Sequence, residues 1–413
     1  MRSSVSVTGR LALLVALAGA PLSGCGGGDA GTGWAVSVDS SAGYPVVVNT
    51  PPTEEIAPTW ELVEEVRIGA VEGAGPEVFG QIKAVAVDRE GRIGVLDAQA
   101  QEVRFFAPDG SWLRTVGGQG GGPGELTDAT GMIATAAGNY LVHDPRAGRR
   151  TVFHPDSGLV RTYPLQVFRY GFVWEAVEDE RGVVWDENLL IGDDGTRTDI
   201  LQGFDAAGTW VDTVALPTRD PNAPDPPGTY RIELANGYAM TGVPFWPRGG
   251  RILDPSGAFW VKAPDVNDYR LARTTFTGDT TLVLESLRPP QPVRGAERDS
   301  IVASLRDRFD TELDWSRIPD EKPVVQGWRV AEDGRLWVRV GAPGDGLTWD
   351  IYEPEGVYAG TAATYLSMRT TIRPTIRADT VWAVVTDELD VPYVVRAVLR
   401  EAGTGTAEVG AAN

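Results

Sequence analysis

Residues Ala86–Gly117 read AVDREGRIGVLDAQAQEVRFFAPDGSWLRTVG. Two apolar alternations flank the turn Asp88-Arg89-Glu90-Gly91, and two more flank Pro108-Asp109-Gly110. Glycine at the end of such a turn accepts the positive φ that a tight reversal requires, so each pair of runs reads as a β-hairpin. Four short strands in 32 residues make one small antiparallel sheet.

The same pattern returns along the chain. GRIGVLD at Gly91 is followed by GNYLVHD at Gly138, GVVWDEN at Gly182, GAFWVKA at Gly257, GRLWVRV at Gly334 and DTVWAVV at Asp379. Aligned on one another, they place Gly94, Leu141, Trp185, Trp260, Trp337 and Trp382 in one slot, preceded by Ile93, Tyr140, Val184, Phe259, Leu336 and Val381. Apolar residues on both sides of the alternation mean that both faces of this strand are buried, as in a sheet packed between two others. A second turn recurs after an aromatic residue at Phe106, Phe153, Phe204, Phe276 and Tyr352. The units start 47, 44, 75, 77 and 45 residues apart. The two long intervals hold insertions at 217–245 and 289–322. The first opens with the proline-rich run Pro217–Pro227, and the second contains Ala296–Leu313, with Ile301, Leu305, Phe309 and Leu313 at helical spacing and Asp299 or Ser300 as cap.

The ends of the array complement each other. Val66-Arg67-Ile68-Gly69 and the loop ending at Pro76 match Leu113–Gly117 and the loop ending at Pro123, one repeat period of 47 residues later. Residues 61–79 therefore read as a fourth strand and exit loop with no first three strands, while the last unit, Arg373–Leu399, is one strand short. The expected fold is all-β: a closed six-bladed β-propeller of four-stranded antiparallel blades spanning 59–402, the N-terminal strand completing the last blade. Closure leaves only short, protected sheet edges. The stretch from Val87 to Leu126 resembles an NHL-type repeat, and the chain is similar to bacterial six-bladed propeller lipoproteins that carry such repeats. The resemblance implies the fold; propellers host many functions, so it implies little about activity.

The N-terminus bears on location. Arg2 and Arg10 flank the start of a ten-residue apolar run, Leu11–Ala20, too short to span a bilayer and suited to a signal peptide over 1–24. Leu22-Ser23-Gly24-Cys25 resembles a lipobox, which implies cleavage before Cys25, acylation of its thiol and attachment to the membrane. Gly26 rather than aspartate after that cysteine implies export to an outer membrane, facing the periplasm. Residues 25–58 read as a flexible tether of about 30 Å, and 403–413 as a disordered tail. Cys25 is the only cysteine, so no thiol is left for a disulfide or a zinc site. The formal charge of −20 disfavours nucleic acid as a partner.

Candidate chemistry is sparse, and no catalytic or cofactor-binding residue is identified. The glycine run 117–124 joins two strands and lacks the strand-to-helix context of a dinucleotide loop. His143 lies on a strand and His154 in a turn, both in the second unit. Asp97 and Asp144 end the second strand of their units, with Asp186 and Asn188 nearby in the third. They read either as carboxylate and amide ligands for calcium at one channel mouth, or, the favoured reading, as caps for the adjacent loops. Lys262, Arg339 and Thr386 stand in or beside the equivalent positions of other units and weaken the calcium reading. Trp246 and Trp315 fall in the insertions, outside the repeat, and are candidate exposed anchors for a partner. The leading expectation is a monomeric, envelope-anchored binding or scaffolding module for a protein, glycan or small molecule. The alternative is a metal-dependent hydrolase or lyase at the channel mouth.

Overall fold

The computed structural model describes residues 33–53, 56–165, 174–217, 220, 223–309, 312–341 and 347–403. The signal segment, Cys25 and residues 404–413 lie outside the described residues, so the lipidation and tail expectations are not addressed by it.

Three strands precede the repeats: β1 (Ala35–Asp39), β2 (Val46–Thr50) and β3 (Trp60–Ile68). Blade 1 is β4 (Ile82–Val87), β5 (Ile93–Asp97), β6 (Glu102–Phe106) and β7 (Trp112–Gly117). Blade 2 is β8 (Gly131–Ala134), β9 (Tyr140–Asp144), β10 (Arg149–His154) and β11 (Gly158–Pro164). Blade 3 is β12 (Ala176–Glu178), β13 (Val184–Ile191), β14 (Arg197–Phe204) and β15 (Trp210–Ala215). A separate hairpin follows, β16 (Thr229–Leu234) and β17 (Gly237–Gly242). Blade 4 is β18 (Gly250–Asp254), β19 (Ala258–Lys262), β20 (Arg270–Thr275) and β21 (Thr280–Ser286), followed by helix α1 (Gly295–Arg308). Blade 5 is β22 (Gly327–Val330), β23 (Leu336–Val340), β24 (Leu347–Tyr352) and β25 (Tyr358–Thr364). Blade 6 is β26 (Thr375–Arg377), β27 (Thr380–Thr386) and β28 (Pro392–Glu401), completed by β3 in antiparallel register with β28 from Ile68↔Val394 to Trp60↔Glu401. The six-bladed ring closed by an N-terminal strand is thus the fold.

The repeat slot explains how the ring packs. Trp185 meets Leu253 and Phe259 of blade 4, Trp260 packs with blade 5, Trp337 with blade 6, and Trp382 with Val85, Val87 and Val95 of blade 1. Leu141 likewise meets Ala176 and Val184 of blade 3. Each slot residue faces the next blade, while its predecessor faces the previous one. In blade 1 the slot holds Gly94, and a Cβ there would lie 2.6 Å from the Tyr140 ring. Tyr140 fills from blade 2 the space that a tryptophan fills elsewhere, and its hydroxyl donates to the Arg92 carbonyl at 2.5 Å. The turn glycines carry the expected positive φ, 79° at Gly91 and 88° at Gly110. Every blade also has a register shift between its two outer strands, a bulge that sharpens the twist.

Two expectations need correction. The composition of residues 25–58 predicts a flexible tether, yet 33–52 hold the β1–β2 hairpin. β2 adds in parallel to β21, from Val46↔Val283 to Asn49↔Ser286, extending blade 4 to six strands. The cause is a run of β-branched residues, Val46-Val47-Val48, with Val47 buried, and Trp34 stacked on Tyr358 with ring centroids 3.9 Å apart. Asn49 is wholly buried; its side chain donates to Gly356 O (2.9 Å) and accepts from the Tyr358 N–H (2.9 Å), tying the hairpin to blade 5. The second correction concerns α1, which ends at Arg308 rather than Leu313. Its N-cap is Arg294, not Asp299 or Ser300, because Glu297 reaches back to accept the Arg294 N–H at 2.9 Å.

Candidate functional site

The inner strands β4, β8, β12, β18, β22 and β26 surround a central cavity of about 520 Å³. It opens where the first strand of each blade turns into the second. Most charges on that rim are paired. Arg377 binds Glu332 at 2.6 Å, Arg273 binds Asp254 at 3.0 Å, and Arg92 binds the buried Asp88 at 2.7 Å. Deeper in, Lys83 and Arg373 line the cavity and make no hydrogen bond or ion pair with the described residues. Glu178, half-buried, accepts the Ala136 N–H, and burial raises its carboxyl above the usual range. The cavity wall therefore carries both signs of charge, with two cations that no bond holds in place and a carboxyl of raised proton affinity.

The candidate ligands of the opposite mouth do not converge. Asp97 accepts the N–H groups of Gly80, Gln81 and Gln99, each at 3.0 Å. Asp144 accepts those of Thr127 (2.8 Å) and Asp128 (3.0 Å). Both carboxylates hold the loop that enters their own blade, the capping role. Calcium would have to take them from these amides. Asp186 instead points between blades 2 and 3, fully buried against Arg150 and Trp174. Asn188 donates to Gln202 Oε1 at 3.1 Å. Among the described residues no three His, Cys, Asp or Glu side chains gather in a metal-binding arrangement.

Trp246 and Trp315 are not free-standing anchors. Both are half-buried in one satellite core made by the two insertions, with Tyr230, Ile232 and Val243 from the first and Leu313 and Ile318 from the second. The Trp246 indole donates to Asp265 (2.7 Å) and that of Trp315 to Glu312 (2.8 Å). Tyr230 donates to Asp314 O at 2.8 Å, and Arg317 to Thr229 O at 3.0 Å, so the insertions act as one unit. Hairpin β16–β17 lies off the repeat, so no periodic signal in the sequence marks it. The exposed tryptophans are Trp112 (53%) and Trp210 (42%), at the start of the outer strands of blades 1 and 3.

A buried polar cluster lies between blades 2 and 3, built partly from Trp174 outside the repeat. His143 stacks on Trp174 with rings 4.8 Å apart and nearly parallel, and its Nδ1 has no partner. Arg150, wholly buried, pairs with Asp186 and lies 4.0 Å over the Phe204 ring. Burial, with the Arg150 charge second, pushes the His143 imidazole down to about 2. Burial raises the Asp186 carboxyl, opposed by Arg150.

No protein-family model and no curated protein matches the chain. Solved structures do. A Bacteroides fragilis protein described as exported aligns over 86% of this chain and 99% of its own, at 10% identity and a TM-score of 0.47. Virginiamycin B lyase from Staphylococcus aureus aligns over 83% and 100%, at 11% identity and 0.41. A gluconolactonase from Xanthomonas campestris aligns over 78% and 87%, at 10% identity and 0.38. At these values the likeness adds nothing to what the strand pairing establishes. No helix among the described residues is long and apolar enough to cross a membrane.

Proposed function

We propose that this chain is an envelope-anchored binding propeller of the NHL-type lipoprotein kind, whose central cavity takes a small charged molecule or glycan fragment. The observation that carries the reading is the cavity itself: about 520 Å³, within the range of small-molecule sites, with Lys83 and Arg373 unpaired on its wall. Lys83 and Arg373, which make no ion pair among the described residues, favour a ligand that brings a negative group, which the carboxylates of Glu175 and Glu178 on the same wall would orient. A hydrolase working through Asp97 and Asp144 would need these carboxylates to serve a metal beside the backbone amides they already hold.

The anchor is tested by Cys25→Ser. Membrane-pelleted wild type and a soluble variant support acylation at Cys25; equal partition refutes it. The site is tested by native mass spectrometry of protein purified from an envelope extract, comparing wild type with the Lys83→Glu/Arg373→Glu double variant. A small molecule retained by the first and lost from the second supports the reading, and identical spectra for the two refute it.

A further inference from the structure

A second cavity, of about 190 Å³, lies between blades 5 and 6. Its roof is the loop joining the two blades, with Met368 and Ile372, and its floor is built from the inner strands of blade 5. Arg329 on β22 and Arg339 on β23 both line it. The register places Arg329 opposite Trp337 and Arg339 opposite Gly327, so both arginines share the face that Trp337 turns to blade 6.

These arginines are unusual in this chain. Each donates one hydrogen bond, to a backbone carbonyl: Arg329 to Trp328 O and Arg339 to Gln326 O, both at 2.9 Å. Neither has a carboxylate within hydrogen-bond or ion-pair reach among the described residues, although acidic side chains outnumber basic ones 57 to 37; Glu175 attracts Arg329 only at longer range, opposed by the charge of Arg373. The Arg339 Nε is buried with no partner at all. Burial, and for Arg339 the neighbouring Arg329, lowers the proton affinity of both below the ordinary guanidinium range. Two like charges held together and partly desolvated are costly unless an anion completes them. Apolar side chains flank them: Trp349, paired with Arg339 on the adjacent strand β24, Leu347 on the same strand, and Met368 from the loop above.

We propose that this cavity is a binding site for a small organic carboxylate, its head group held by Arg329 and Arg339 and its apolar tail against Leu347, Trp349 and Met368. Guanidinium forks match a carboxylate in two-point geometry, and the volume corresponds to about six water molecules, enough for a short-chain acid. The site adjoins the central cavity, with Pro374 lining both and Arg373 of the central cavity repelling Arg329, but its head group is held by its own two arginines.

The test is calorimetric titration of the full-length protein with sodium acetate, butyrate and valerate, and with inorganic phosphate, at constant ionic strength. The expected result is one site whose affinity rises about fourfold per added methylene. Affinity for valerate should fall at least tenfold in Arg329→Gln and in Arg339→Gln, and stay unchanged in Lys83→Ala, which alters only the central cavity. Because each arginine substitution relieves a like-charge pair, the ligand-free variants should melt no lower than wild type, so lost binding is not lost folding. Equal affinity in wild type and both arginine variants would overturn the proposal. So would phosphate binding as tightly as valerate with no chain-length dependence, which would mark a plain anion site. Loss of valerate binding in Lys83→Ala alone would overturn it by placing the ligand in the central cavity.

Discussion

Acidification should destabilise the ring through His143. The imidazole is buried between blades 2 and 3, stacked on Trp174 and near Arg150, with a pKa pushed down to about 2 against 6.5 for the free side chain. The folded chain keeps this histidine neutral, while the unfolded chain protonates it below pH 6.5. The unfolded state then binds more protons, so stability rises with pH and is lost as pH falls below 6.5. Taking one unit of pKa as 1.36 kcal/mol, the loss at pH 5 relative to pH 7.5 is about 2 kcal/mol from this residue. His143→Phe keeps a flat ring against Trp174 but cannot be protonated. Urea unfolding of both proteins at pH 7.5 and pH 5.0 should show wild type losing about 2 kcal/mol more than the variant over that interval. The chain has two histidines, so the imidazole Cε1–H spectrum holds two signals, and loss of one in His143→Phe assigns it. A His143 signal that titrates near pH 6.5 in the folded protein, or equal losses in the two proteins, would refute the argument.

Other substitutions probe the packing. Asp350 is buried between blades 4 and 5, where Arg288 grips it at 2.6 and 2.8 Å and Thr361 and Tyr269 donate to it. Asp350→Ala strands the guanidinium and should cost about 3–5 kcal/mol in chemical denaturation, whereas replacing Asp350 and Arg288 together by apolar residues should cost less than the single change. Gly94→Ala should cost about 1–3 kcal/mol by colliding with Tyr140, and a Tyr140→Leu background should reduce that penalty in a double-mutant cycle. Asp97→Ala leaves four loop amides without this acceptor and should cost about 2 kcal/mol or more in urea unfolding, and added calcium should not change the difference.

The ring was legible because each blade repeats one strand pattern, and the tryptophan slot shows which side of it meets the next blade. Closure was legible because the N-terminal fragment and the last unit lack complementary strands. The site was harder to read. His143, Lys262 and Arg339 share the position two residues beyond that slot, on the same face of the strand. A polar residue there signals a charged seam between blades, but its partners come from non-repeating segments: Trp174 for His143, Asp268 for Lys262, and no carboxylate for Arg339. Trp246 and Trp315 misled for a related reason. A tryptophan outside the repeat is outside the ring's core, yet the two insertions, separate in sequence, build a core of their own. Residues 33–52 misled because a lone two-strand segment has no periodic partner in sequence; its partner is the already complete edge of blade 4.

The hairpin β1–β2 changes how the ring carries tension. With the proposed anchor at Cys25, only residues 26–32 separate the lipid from Gly33, a leash of at most about 28 Å. A pull along that leash reaches the β2–β21 ladder, the Asn49 clamp and the Trp34–Tyr358 stack before it reaches β3. The seam that closes the ring therefore sits behind a second fastening, and drag on the tethered body is borne by the rim at blades 4 and 5 while the β3–β28 closure stays slack.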